Sequence, residues 1–373
     1  MIFMEYTVRK WVSLLCGLMT AMGMWTSCDL MHESTEDCPM GLYLSFKYDY
    51  NLQRADMFND HVGAVSVYVF DESGNYVTCR EVENEGGYRP LSDPAYAMRM
   101  DLPPGRYQFL VLAGQCGYDE MLASGRARFM RTLPEVGEHM SRTGVRLESR
   151  ENPGVASGYL VDNHGLPLDT LWHGMECTLV EVFAERPTYH RISLVRDTKK
   201  INVTLRELDD PTEMDVADYD MKIVDRNSLL RWDNSVDESY GTVTYLPHST
   251  WNTLDRTPVA GRSDAEGEPE KGKIAHADFM TSRIIYHDNP ADDAVLSITD
   301  RRSGKEVVRV NLPDMLTRLS NGDDYYRYTP QEFLDRGYDY QMDFFLIGGK
   351  LAFVDISISV LSWGVRVQFV DDL

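Results

Sequence analysis

The sequence predicts an all-β protein: two tandem antiparallel β-sandwich domains with a few short helices. Three observations carry this reading. From Cys38 onward the apolar residues recur mostly at every second position, the period of a half-buried strand. Turn chemistry separates these runs at short intervals. The 373 residues suit about two domains, and an apolar content of 43% is enough for two cores.

The first 27 residues stand apart. Arg9 and Lys10 make a small basic start, and Trp11 to Met24 carry no charge. That apolar run is too short to span a bilayer and suits the core of a signal peptide. It ends Trp25-Thr26-Ser27-Cys28, small residues directly before a cysteine. The pattern resembles a bacterial lipobox, in which the cysteine takes a diacylglycerol and becomes the mature N-terminus. Cys28 is therefore the expected lipidation site, and plain secretion with a nearby cut is the alternative. Residues 28–37 are polar and acidic, as expected of a tether.

The first domain is expected over residues 38–186. Leu42, Leu44 and Phe46 alternate with Tyr43 and Ser45, and Val65, Val67 and Val69 alternate with Ser66, Tyr68 and Phe70. Asp71-Glu72-Ser73-Gly74 then leads to Tyr76-Val77-Thr78, a hairpin signal. Pro103-Pro104-Gly105 precedes a strand over 106–112. The second domain is expected over 187–373. A strand over 191–194 opens it, Ile201, Val203 and Leu205 alternate in a further strand, Arg302-Ser303-Gly304 turns a hairpin, and residues 353–361 and 365–370 read as its last strands. Short helices are expected at 55–61, 118–123, 313–320 and 330–335, the last two with proline suited to a first turn. Residues 257–272 are rich in Gly, Pro and charge and read as a long exposed loop.

Composition excludes several functions. A net charge of −22 argues against a nucleic-acid groove, which needs clustered Lys and Arg. No G-x-S-x-G, H-E-x-x-H, P-loop or strand-following G-x-G-x-x-G occurs, so no enzyme and no cofactor is expected. The acidic pairs at 209–210, 292–293 and 323–324 lack EF-hand spacing. Cys38, Cys79, Cys116 and Cys177 could form disulfides in an exported protein or remain small buried hydrophobes. His173, in Leu171-Trp172-His173-Gly174, suits a structural role beside a packed Trp172. Tyr325, Tyr326 and Tyr328 could form a stacking platform for glycan or a half-buried sheet edge.

Several segments in order resemble the FimB-type fimbrial anchor family of Bacteroidales. They are Asp37-Cys38-Pro39-Met40-Gly41-Leu42, Val65-Ser66-Val67-Tyr68-Val69-Phe70-Asp71, Leu102-Pro103-Pro104-Gly105-Arg106-Tyr107 and Leu171-Trp172-His173-Gly174. The run from Leu194 to Val203, the segment Gln331 to Arg336 followed by Asp343-Phe344-Phe345-Leu346, and Ile356-Ser357-Ile358 with Trp363 complete the set. The resemblance implies transthyretin-like sandwiches, an outer-membrane lipid anchor at Cys28 and a role in holding a pilus and limiting its length. It implies shaft pilin subunits as partners and no catalysis. Contact with pilin is expected by strand addition, through Val365, Val367 and Phe369 of the last strand. A surface glycan-binding lipoprotein and a pilus tip adhesin are the alternatives.

Overall fold

A computed structural model of the chain describes residues 40–153, 158–174, 178–263, 269–321, 327–360 and 363–370. The first half contains β1 (Leu42–Lys47), β2 (Ala64–Asp71), β3 (Tyr76–Glu83), β4 (Met98–Met100), β5 (Gly105–Gly114), β6 (Phe129–Thr132), β7 (Gly144–Leu147), β8 (Ser149–Glu151), β9 (Gly158–Val161), β10 (Trp172–Gly174), β11 (Val180–Val182) and β12 (Thr188–Arg196). The second contains β13 (Lys199–Glu207), β14 (Tyr219–Asp225), β15 (Leu229–Arg231), β16 (Thr242–Tyr245), β17 (Ser249–Ser263), β18 (Pro269–Thr281), β19 (Val295–Asp300), β20 (Glu306–Asn311), β21 (Asp339–Ile347), β22 (Lys350–Val360) and β23 (Trp363–Val370). Short helices are α1 (Phe58–His61), α2 (Tyr118–Ala123), α3 (Leu312–Thr317) and α4 (Pro330–Arg336). The all-β class is observed.

The first sheet runs β3-β2-β5-β10-β12-β1-β4, with β11 also on β5. It curls over itself. β12 pairs with β1 over 188–193 and with β10 over 194–196, and so carries one layer into the other. Leu42, Leu44, Met98 and Met100 on one layer meet Val65, Val67, Val69 and Val111 on the other, around fully buried Trp172. Gly174 is required here. A Cβ at that position would sit 2.8 Å from Val111 Cβ and 3.2 Å from Ile192 Cγ2.

The alternation in β2 suggests one wet face, but both faces are buried. Tyr68 and Phe70 face a second core with Phe129, Val145 and Leu147 from β6 and β7. Those strands form a small sheet with β15 of the second half. Likewise β9 pairs in parallel with β16, so β8 and β9 complete the sheet β20-β19-β14-β16-β9-β8. The two halves thus share strands.

The last sheet is β17-β18-β13-β21-β22-β23. Its inward residues, Ile201, Val203, Phe279, Phe344 and Ile356 among them, pack in the same core as Ile223, Val243, Leu296 and Ile298 of the facing sheet. Helix α4 starts as its sequence predicts: Thr329 Oγ1 accepts from Glu332 N at 3.2 Å, with Pro330 in the first turn.

Two further differences concern boundaries. β12 lies in the first sheet, beyond the expected division at 186/187, and the chain crosses between the halves at Asp197-Thr198. The expected loop over 257–272 is largely strand: β17 and β18 continue as a hairpin, with Pro258 opposite Lys271 and Ser263 opposite Pro269. Proline is compatible with such an outer strand, which among the described residues has a partner strand on one side only. Parallel pairs β1/β12, β13/β21 and β9/β16 are set within otherwise antiparallel sheets.

Candidate functional site at the junction and the outer strand

Two places bear on function: the crossing between the halves, and the strand at one edge of the last sheet. At the crossing, only Asp197 and Thr198 separate β12 from β13. Backbone groups that leave one sheet before entering another need other partners. Buried side chains supply them. Lys199 is fully buried, and its Nζ donates to the carbonyls of Arg196 at 3.0 Å, Asp335 at 3.1 Å and Gly337 at 2.9 Å. Asp197 N donates to Leu171 O at 2.9 Å, and Asp197 Oδ1 accepts from Asn234 Nδ2 at 2.9 Å.

Around this point lies a second set of ties. Arg283 pairs with both oxygens of Asp335, each at 2.8 Å, and also donates to Asn234 O. Gln331 Nε2 donates to Asp335 Oδ1 at 3.1 Å. The Arg196 guanidinium lies 4.3 Å from the Tyr338 ring centroid and 5.5 Å from that of Trp172. Arg336 sits over Tyr50 at 3.9 Å and Tyr328 at 4.7 Å. Burial pushes the Asp197 carboxyl up and the Lys199 ammonium down, and nearby Asp335 works against the latter.

His173 also faces this junction. Its Nε2 lies 2.9 Å from Trp232 O, across the two halves. Burial pushes its pKa down to about 4. The neutral ring therefore donates from Nε2 at neutral pH. Above the ordinary value of 6.5 neither state is protonated. Between that value and about 4 the unfolded chain takes a proton that the folded chain excludes, so stability falls as pH falls. At most about 3 kcal/mol is involved. Burial raises the Asp197 and Asp225 carboxyls, which act with the opposite sign over this window, so the loss is read as the difference in urea midpoint between the wild type and His173→Gln from pH 7 to pH 4.

A cavity of about 140 Å³ beside His173, Asn234, Arg283 and Asp335 completes the junction. No cluster of metal-ligand type occurs among the described residues. What the geometry does is hold two halves in one orientation. Three of the resembling segments, Leu171–Gly174, Leu194–Val203 and Gln331–Arg336, converge on it. Sequence reasoning anticipated the structural role of His173. It did not identify Arg196, Asp197 and Lys199 as buried, because a charged run ordinarily signals solvent, nor Asn234 and Arg283, which reach the junction from distant segments with no local signal.

The outer strand is β23. Its register sets Val365 opposite Ile358, Val367 opposite Ile356 and Phe369 opposite Val354. Those three β22 residues are buried in the core. β23 ends the strand order, so among the described residues one side of its backbone has no strand partner. β1, by contrast, is held on both sides, by β12 and β4.

Other expected sites fall elsewhere. Cys28, Cys38, Cys177, Tyr325 and Tyr326 lie outside the described residues. Cys79 and Cys116 are free thiols, and burial pushes Cys79 up to about 12. Tyr328 is half-buried, and its Oη accepts from Arg54 Nε at 2.8 Å beneath Arg336. It is part of the junction rather than an open stacking surface.

Comparison with known proteins agrees with this architecture. The model of the fimbrillin-A associated anchor proteins Mfa1 and Mfa2 matches residues 35–369. The chain belongs to this family of fimbrial anchor proteins. The minor fimbrium anchoring subunit Mfa2 of Porphyromonas gingivalis is 22% identical over 313 residues, covering 82% of this chain and 80% of that protein. Among solved structures, a candidate adhesin from Bacteroides thetaiotaomicron has a TM-score of 0.67 at 27% identity, covering 88% of this chain and 98% of that one. The fimbrial anchor protein Mfa2 of Porphyromonas gingivalis has a TM-score of 0.56 at 16% identity, covering 88% and 99%. At that identity the likeness speaks for the fold. The family is one of structural anchor subunits, not of enzymes. Among the described residues, no helix of the chain is long and apolar enough to cross a membrane.

Proposed function

We propose that the protein is an outer-membrane lipoprotein that anchors a fimbria to the cell surface and limits its length. Lipid on Cys28 supplies attachment, and residues 28–37 give slack. A single acyl chain binds membranes only marginally, whereas two or more hold stably. Shaft pilin adds to β23, where backbone hydrogen bonds give affinity and side-chain positions such as Val365, Val367 and Phe369 give selectivity. The observation that carries this reading is the place of β23 at the end of its sheet.

Labelled palmitate tests the reading. The wild-type chain should incorporate label and fractionate with the outer membrane, and Cys28→Ala should lose both. Absence of label from the wild type would overturn the lipid anchor.

A further inference from the structure

We infer that β1 and β12 form a shear clamp that carries tension from the tether into the body of the protein. This rests on the reading that the pull enters from Cys28. The chain then loads the amino-terminal end of β1, at Leu42. It leaves the first sheet at the carboxyl-terminal end of β12, at Arg196, and passes directly into β13.

β1 and β12 are parallel, with six paired positions from Leu42↔Thr188 to Lys47↔Ser193. The loaded ends are therefore at opposite ends of the pair. Pulling them apart slides one strand along the other and strains all the ladder bonds together. An antiparallel pair loaded in the same way would have both ends at one edge and would open bond by bond. The parallel arrangement thus resists a load directed along this chain.

Side chains reinforce the pair. Leu42, Leu44 and Phe46 are buried beneath it. On the outer face Tyr43 stacks on its cross-strand partner Tyr189 at 5.2 Å, although Tyr189 is 69% exposed. Arg191 Nε donates to Ser45 Oγ at 3.3 Å, and Ser193 Oγ donates to Asp49 Oδ1 at 3.0 Å. The exit is fixed too: Arg196 O accepts from Lys199 Nζ, and the Arg196 guanidinium lies against Trp172 and Tyr338. The load therefore enters the second half without a hinge.

Single-molecule pulling tests this on the chain from residue 28, carrying Cys28→Ala. One handle is placed in the exposed turn at Ser303. The other is placed either before Met40 or at exposed Ala55, beyond the carboxyl end of β1. Forced unfolding reports the unfolding barrier along the chosen direction. The first sheet should rupture at several-fold higher force from the terminal handle than from Ala55. Ser45→Pro, which deletes a ladder donor in mid-strand, should lower the terminal rupture force. Equal or lower force from the terminal handle would overturn the clamp, whether or not the proline variant folds. The result is separable from lipidation. A force difference without palmitate labelling leaves the mechanical element and removes the tether, whereas labelling without a force difference keeps the anchor and removes the clamp.

Discussion

Replacing Lys199 with methionine should destabilise the folded chain by about 3 kcal/mol. Methionine nearly matches the volume, so the loss is not one of packing. It is the loss of a buried cation that satisfies three carbonyls at once, those of Arg196, Asp335 and Gly337. Each carbonyl would be left without its charged donor where water does not reach. The neighbouring Lys200 is exposed, and Lys200→Met should change stability by no more than about 0.5 kcal/mol. Urea unfolding of both variants checks the pair, with the shift read in the midpoint at constant slope. A Lys199→Met protein as stable as Lys200→Met would show that the three carbonyls do not need the ammonium.

Truncation after Trp363 should abolish attachment of the fimbria while leaving the first half folded. The deletion removes most of β23, the strand proposed to receive pilin. β22 would become the outer strand. It stays paired with β21 from Ile347↔Lys350 to Tyr340↔Ile358, and its Val354, Ile356 and Ile358 remain in the core. Among the described residues, the first sheet has no strand from this region. Co-purification of shaft pilin should therefore be lost. Circular dichroism and limited proteolysis should still report a folded first half. Normal pilin recovery by the truncated chain would remove β23 as the contact.

Much of the fold was legible because it is local. The period of two marks β1 and β13, and the turn at Asp71–Gly74 marks the β2–β3 hairpin. The prolines place α3 and α4. The pairing of β7 with β15, and of β9 with β16, left no such signal. Long-range pairing depends on partners about 80 residues away, and nothing in a short strand names them. The burial of Arg196 to Lys199 was hidden for another reason. Charge is read as exposure, yet here it satisfies backbone groups at a crossing between sheets. The lipid site could be read only from sequence, since Cys28 lies outside the described residues. For β23 the sequence showed a strand, while its place at the edge follows from the sheet order.

The strands shared between the halves also bear on how such a protein can change over evolutionary time. A domain joined to its neighbour by a linker can be duplicated, lost or exchanged as a cassette. Here β6 to β9 are encoded before the crossing, yet they complete sheets with strands encoded after it. A recombination event at Asp197-Thr198 would bring together halves whose edges had never been matched, exposing unpaired strand edges that invite aggregation. The lineage should therefore inherit both halves as a unit, and new partners should arise by changes along outer strands such as β23 rather than by swapping domains.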